Sequence, residues 1–197
     1  PVEVINVSLS PNRFMNQTSN SWQISNLRIL KELRIGYNKL TSLCYHLTQC
    51  RNLKHLDLCQ NVIGLSLFFS THLSLITFEQ HIQNINSLDG IGDLRNLEIL
   101  DVSRNCLDTD SLKELKSCTK LQELRLAHNR IESASDLKPL RRLLTLDLSN
   151  NRIERMRDIP SLPNLCELYL SRNGLKDLGS RALKSRYSRA FFFQYWK

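Results

Sequence analysis

Cys59 and His81 are the side chains best suited to covalent chemistry in this 197-residue chain, a thiol and an imidazole 22 positions apart. Asp57 and Glu79 stand at the same separation, and His55 is close by. If a 22-residue period stacks these positions, the set can be drawn as an activated thiol or as part of a zinc site. Adjacency is all that supports either drawing. The chain has no glycine-rich phosphate loop, no H-E-x-x-H and no G-x-S-x-G. The expectation is a protein that is not an enzyme, with no metal, no cofactor and no small-molecule substrate.

The elements that would position these residues come from an internal repeat. The frame L-x-x-L-x-L-x-x-N-x-L fits Leu97, Leu100, Val102, Asn105, Leu107 and then Leu121, Leu124, Leu126, Asn129, Ile131. It recurs with starts near 4, 30, 53, 75, 97, 121, 143 and 165. The copy at 75 is decayed: Leu75, Phe78, Gln80, Gln83, Ile85 put glutamines where a core residue and the asparagine belong. Alternation of leucine with other residues makes a short strand that hides the leucines and shows the residues between them. Asparagine follows where the chain must turn, because its amide can both donate to and accept from peptide groups. Stacked copies predict an asparagine ladder, broken at Gln83. Apolar residues at three-residue steps between strands, such as Leu112, Leu115, Cys118, Leu121, suit 3-10 turns. Thr109, Asp110 and Ser111 ahead of Leu112 predict a capped short helix.

The frame resembles the leucine-rich repeat family, in particular its twenty-two-residue class, as the run from Leu143 to Ile159 illustrates. That class includes a regulatory subunit of protein phosphatase 1 and an axonemal dynein light chain. The resemblance implies an α/β solenoid, a right-handed superhelix with a concave parallel β-sheet and short helices or 3-10 turns on the convex side. It covers residues 2–180 as an array of about eight repeats. It also implies a non-enzymatic scaffold or regulatory module binding another protein on the concave face, with ciliary, cytoskeletal or phosphatase complexes to test first. The cysteine-rich caps of the longer extracellular class are missing from the pattern.

Residues shown by the strands form columns. One runs Asn6, Glu32, His55, Thr77, Ile99, Glu123, Thr145, Glu167, and the next runs Ser8, Arg34, Asp57, Glu79, Asp101, Arg125, Asp147, Tyr169. Beyond them come His81 and, at the edge, Tyr37, Arg104, His128 and Arg172. Acids outnumber bases seven to two in the first two columns. These residues are the candidate partner-binding set, with Tyr37, Ile99 and Tyr169 as anchors for a basic or mixed-charge protein surface.

The formal charge of +8 is concentrated in residues 181–197, which hold five bases and no acid. Leu183, Tyr187, Phe191 and Tyr195 recur at four-residue steps, which predicts a helix capping the last coil. The alternative for this basic–aromatic tail is contact with RNA. Six cysteines scattered singly fit a reducing, intracellular setting, cytoplasmic or cytoskeletal. The sequons at Asn6 and Asn16 are short enough to arise by chance. No apolar run is long enough to span a bilayer. Pro1 falls close to a repeat start, so further repeats are expected upstream.

Overall fold

The computed structural model describes residues 28–37, 47, 50–61 and 88–176, together with the backbone of strands at 6–8 and 192–194. Eight three-residue strands form one sheet: β1 (Asn6–Ser8), β2 (Glu32–Arg34), β3 (His55–Asp57), β4 (Ile99–Asp101), β5 (Glu123–Arg125), β6 (Thr145–Asp147), β7 (Glu167–Tyr169) and β8 (Phe192–Gln194). They pair in sequence order and all in parallel. This is an α/β solenoid. Each coil supplies one strand, then returns through a 3-10 turn at Ile91–Asp93, Asp110–Ser117, Ser135–Leu137 or Met156–Asp158.

The middle residue of each strand points inward. Leu33, Leu56, Leu100, Leu124, Leu146 and Leu168 are all at most 1% exposed and stack in register. The three-step run completes the core behind them, with Leu112, Leu115, Cys118 and Leu121 fully buried. Burying each such leucine contributes about 1.5–3 kcal/mol.

Asparagine closes each turn. Asn129 donates through Nδ2 to the Leu126 carbonyl of its own coil at 2.9 Å and to the Val102 carbonyl of the preceding one at 3.1 Å, while its Oδ1 accepts the Leu107 N–H at 2.9 Å. Asn151 and Asn173 repeat the arrangement. The residue just before each of these asparagines is left-handed: Gln60, Arg104, His128, Asn150 and Arg172 have φ between 47° and 57°, as does Tyr37. That kink swings the amide under the strand and turns the preceding side chain outward.

The decayed copy at 75 supplies no strand between β3 and β4. β3 pairs directly with β4, Leu56 against Leu100, although 44 residues separate them and 22 separate Leu124 from Leu146. The ladder passes likewise from Asn61 to Asn105, whose Nδ2 reaches the Leu58 carbonyl at 3.2 Å. The fully buried Leu88, Leu94 and Leu97, with Ile91, complete the coil that β3 begins. The ladder thus steps directly from the coil of Asn61 to that of Asn105. Residues 62–87 themselves, with Glu79 and His81, lie outside the described residues.

Two local expectations also change. The turn at Asp110–Ser117 is a 3-10 helix with no side-chain cap from Thr109. Asp108 caps it instead, accepting the Ser111 N–H at 3.0 Å and hydroxyl at 2.8 Å. Thr109 Oγ1 accepts the Glu132 and Ser133 N–H groups of the next coil, both at 3.1 Å. In the tail, Phe192–Gln194 is a strand paired with β7, Phe193 against Leu168, so the expected cap helix does not extend through these residues. The rest of the helical stripe lies outside the described residues.

Candidate functional site

The sheet carries the columns in register. Glu32, His55, Ile99, Glu123, Thr145 and Glu167 align across β2–β7, and so do Arg34, Asp57, Asp101, Arg125, Asp147 and Tyr169. Arg34 and Arg125 are exposed and the other ten half-buried. Asp57 and Asp101 are direct neighbours, with no residue 79 between them.

Both column arginines are already engaged. Arg34 pairs with Glu32 at 2.5 Å. Arg125 pairs with Glu123 and lies 3.6 Å from Asp101. Each column aspartate has one structural oxygen: Asp57, Asp101 and Asp147 accept the N–H two residues on, from Cys59, Ser103 and Ser149, each at 2.9 Å. This bond fixes the chain as it leaves the strand for the left-handed residue. Glu167 accepts weaker bonds from the Thr145 hydroxyl at 3.2 Å and the Tyr169 hydroxyl at 3.4 Å. The face is thus acidic with its cations spent on internal pairs. Burial first, then the Glu167 carboxylate, pushes the Tyr169 hydroxyl above its ordinary range.

At the far end of the strands sit Tyr37, Arg104, His128 and Arg172, turned outward by their left-handed backbone. Tyr37 is 52% exposed. Burial, then the charges of Arg104 and Arg172, lower the His128 pKa, with Asp147 opposing.

Of the drawn catalytic pair, Cys59 lies among the described residues and His81 outside them. On the strand beside Cys59 the equivalent residue is Ser103, not His81, as the β3–β4 register requires. Burial first, then a hydrogen bond to Asp57 and the nearby carboxylates, push the Cys59 thiol up to about 12. A thiol held protonated is a poor nucleophile. Asp57, Cys59 and Asp101 place three potential ligand atoms within 4.8 Å of one another. The thiol's hydrogen bond to Asp57 brings two of them together, and the β3–β4 register brings Asp101 beside Asp57.

The column reading passed over the positions flanking each coil's first core leucine. Arg28 and Lys31 bracket Leu30, and Arg51 and Lys54 bracket Leu53, all four exposed. The signal was present as a base two residues ahead of the leucine, outside the alternation used to find the columns.

The family profile described as two copies of leucine-rich repeats matches residues 119–164, and a second, described as leucine-rich repeat, matches 80–131. Both fall on coils that carry the buried leucine and asparagine pattern. Residues 80–164 thus match leucine-rich repeat models. Among solved structures, an internalin C2 of Listeria monocytogenes is similar over 98% of this chain and 71% of its own, with TM-score 0.72 and 22% identity. An internalin, InlF, of the same organism covers 98% of this chain at TM-score 0.74 and 21% identity, and this chain spans 48% of it. A leucine-rich repeat protein of Leptospira interrogans covers 89% of this chain at TM-score 0.67 and 23% identity, and this chain spans 39% of it. These likenesses carry the fold alone. No curated protein sequence matches. Leucine-rich repeat proteins generally serve as protein-interaction scaffolds, and typically not as enzymes. Among the described residues no helix is long and apolar enough to cross a membrane.

Proposed function

We propose that this leucine-rich repeat chain is a non-enzymatic scaffold or regulatory module that receives a protein partner on its concave sheet face. The observation that carries this reading is the in-register acidic face: six carboxylates across β2–β7 against two arginines, both of them internally paired. A partner with basic side chains gains charge-assisted contacts there without displacing a competing cation from Asp57, Asp147 or Glu167. Ile99 and Tyr169, half-buried within the columns, and Tyr37 at the edge provide apolar area. Complexes of the ciliary, cytoskeletal or phosphatase kind, in the cytoplasm, are the first to test, by the resemblance to the twenty-two-residue class. The second reading, RNA contact through the basic tail, is weakened by the pairing of Phe192–Gln194 with β7, which commits three tail residues to the sheet.

The test reverses charge at Glu123 and Glu167, which accept no backbone N–H, so the strand exits stay intact. Wild type and the Glu123→Lys/Glu167→Lys variant are used in parallel to capture partners, quantified by mass spectrometry. The partner set should fall at least tenfold in the variant, while its melting temperature stays within a few degrees of wild type. Undiminished capture by a folded variant would remove the sheet face as the docking surface.

A further inference from the structure

Beside the acidic face runs a surface of opposite sign. Arg28, Arg51, Arg95 and Arg141 stand two residues ahead of the first core leucine in four coils. Lys120 and Arg142 stand one residue ahead, and Lys31 and Lys54 one residue after. All eight are exposed. Within these three positions of every described coil the one acid is Glu98, paired with Lys54 at 2.7 Å.

A second set of asparagines holds this rim. Asn52 Nδ2 donates to the Arg28 carbonyl at 2.6 Å, Asn96 to Arg51 at 2.8 Å and Asn164 to Arg141 at 2.8 Å. Each amide ties the backbone of an arginine to the next coil, and Lys120 Nζ adds a bond to Asn96 Oδ1 at 2.6 Å. The guanidinium groups thus rise from a row of fixed origins, about 4.8 Å apart where coils are adjacent. From the coil of β2 to that of β6 the row spans about 19 Å, the reach of about six residues of extended peptide. Apolar side chains flank it at both ends: Ile29 is 49% exposed and Leu144 41%.

We infer that this rim docks an acidic protein segment carrying apolar side chains, laid across the coils of β2 to β6. Carboxylates engage the arginine forks bidentately, and apolar side chains cover Ile29 and Leu144. No aromatic side chain occupies these rim positions among the described residues, so stacked bases find no platform. A flat anionic bilayer or a bulky duplex would also press its phosphates on Glu32 and Glu123, which lie one residue further along the strands. A narrow peptide avoids them. The rim is separate from the sheet-face columns, so one chain can hold two segments of opposite charge.

The experiment measures fluorescence anisotropy of four probes on the full chain: an eight-residue peptide of glutamates with two leucines, the same peptide with serines for the leucines, a uridine 20-mer RNA, and phosphatidylserine vesicles. The leucine-bearing peptide is expected to bind most tightly, and to weaken as ionic strength rises. Arg51→Glu/Arg95→Glu should lower its affinity by about tenfold or more, and Arg51→Gln/Arg95→Gln by a smaller factor. Ile29→Ser/Leu144→Ser should bring it down to the serine peptide's level. Glu123→Lys/Glu167→Lys should not weaken it, which separates this surface from the sheet face. Tighter binding of RNA or vesicles, equal binding of both peptides, or unchanged affinity in the folded arginine variants would each overturn the inference.

Discussion

Removing the Asn129 amide should unfasten two coils at once. Asn129→Ala deletes a side chain that is 8% exposed and satisfies the Leu126 and Val102 carbonyls and the Leu107 N–H. The alanine methyl replaces none of these bonds; the Leu107 N–H is left without a partner, while the Leu126 carbonyl keeps Asn151 and the Val102 carbonyl keeps Asn105. A buried polar group left without its partner costs about 1–3 kcal/mol. Carbonyls that keep one of two donors lose less than an orphaned N–H does, so the sum is about 2–4 kcal/mol. That is a large part of the stability of about 5–15 kcal/mol common to single domains. Asn52→Ala is the internal control, since Asn52 is exposed and makes one bond, to the Arg28 carbonyl; its cost should be at most about 1 kcal/mol. The assay is equilibrium unfolding in guanidinium chloride with hydrogen exchange at the Leu107 amide. The Leu107 amide should lose protection even where the global fold survives, because neighbouring coils couple only through their shared interface. An Asn129→Ala variant less than about 1 kcal/mol below wild type, with Leu107 still protected, would refute the ladder as a stabilising element.

Three further outcomes follow from the geometry. Gln60 is exposed with φ 47°, so Gln60→Gly removes left-handed strain of about 1 kcal/mol while adding a similar unfolded-state entropy, and its melting temperature should stay within a few degrees of wild type; a loss of ten degrees would show that the side chain packs. The Cys59 thiol, pushed up to about 12, should resist iodoacetamide at pH 8 while the exposed Cys166 reacts, and should label only on unfolding; comparable rates would contradict the burial and Asp57 bond that hold it. Burial opposes ionisation of Asp108, yet hydrogen bonds from Ser111 and nearby N–H groups hold its carboxyl below the ordinary range. A depressed carboxylate stabilises fully above the unfolded value of about 3.9 and loses that contribution as pH falls through the lower folded value. Asp108→Asn should therefore destabilise at pH 7 and approach wild type in strong acid, as thermal melts across pH would show.

The leucine and asparagine frame was readable because each position answers one demand, burial of an apolar group or satisfaction of a turning backbone. Alternation then placed the columns, and the described column residues align across β2–β7, except that His55 and Asp57 stand beside Ile99 and Asp101 where Thr77 and Glu79 were expected. The copy at 75 misled because Leu75 and Phe78 match in spacing while Gln80 and Gln83 do not. The better signal was the three-step run Leu88, Ile91, Leu94, Leu97, which leads into β4, the strand that pairs directly with β3. In the tail, four-residue spacing suggested a helix. The aromatics of Ala190-Phe191-Phe192-Phe193-Gln194-Tyr195 equally repeat the strand alternation, and pairing with β7 selects it at 192–194. Beyond the asparagine ladder and the columns, contacts between coils were not legible. That Asp108 rather than Thr109 caps the 3-10 helix, or that Asn96 ties down Arg51, depends on where the neighbouring turn ends.

Photo-crosslinking bears most directly on the sheet face as the place of recognition. p-Benzoylphenylalanine is installed in turn at Ile99 and Tyr169 on the strands and at Lys113 and Lys138 on the opposite side, and each variant is irradiated with its captured partner. The expected result is crosslinked partner from Ile99 and Tyr169 and none from Lys113 or Lys138. Crosslinks from Lys113 and Lys138 alone would contradict it.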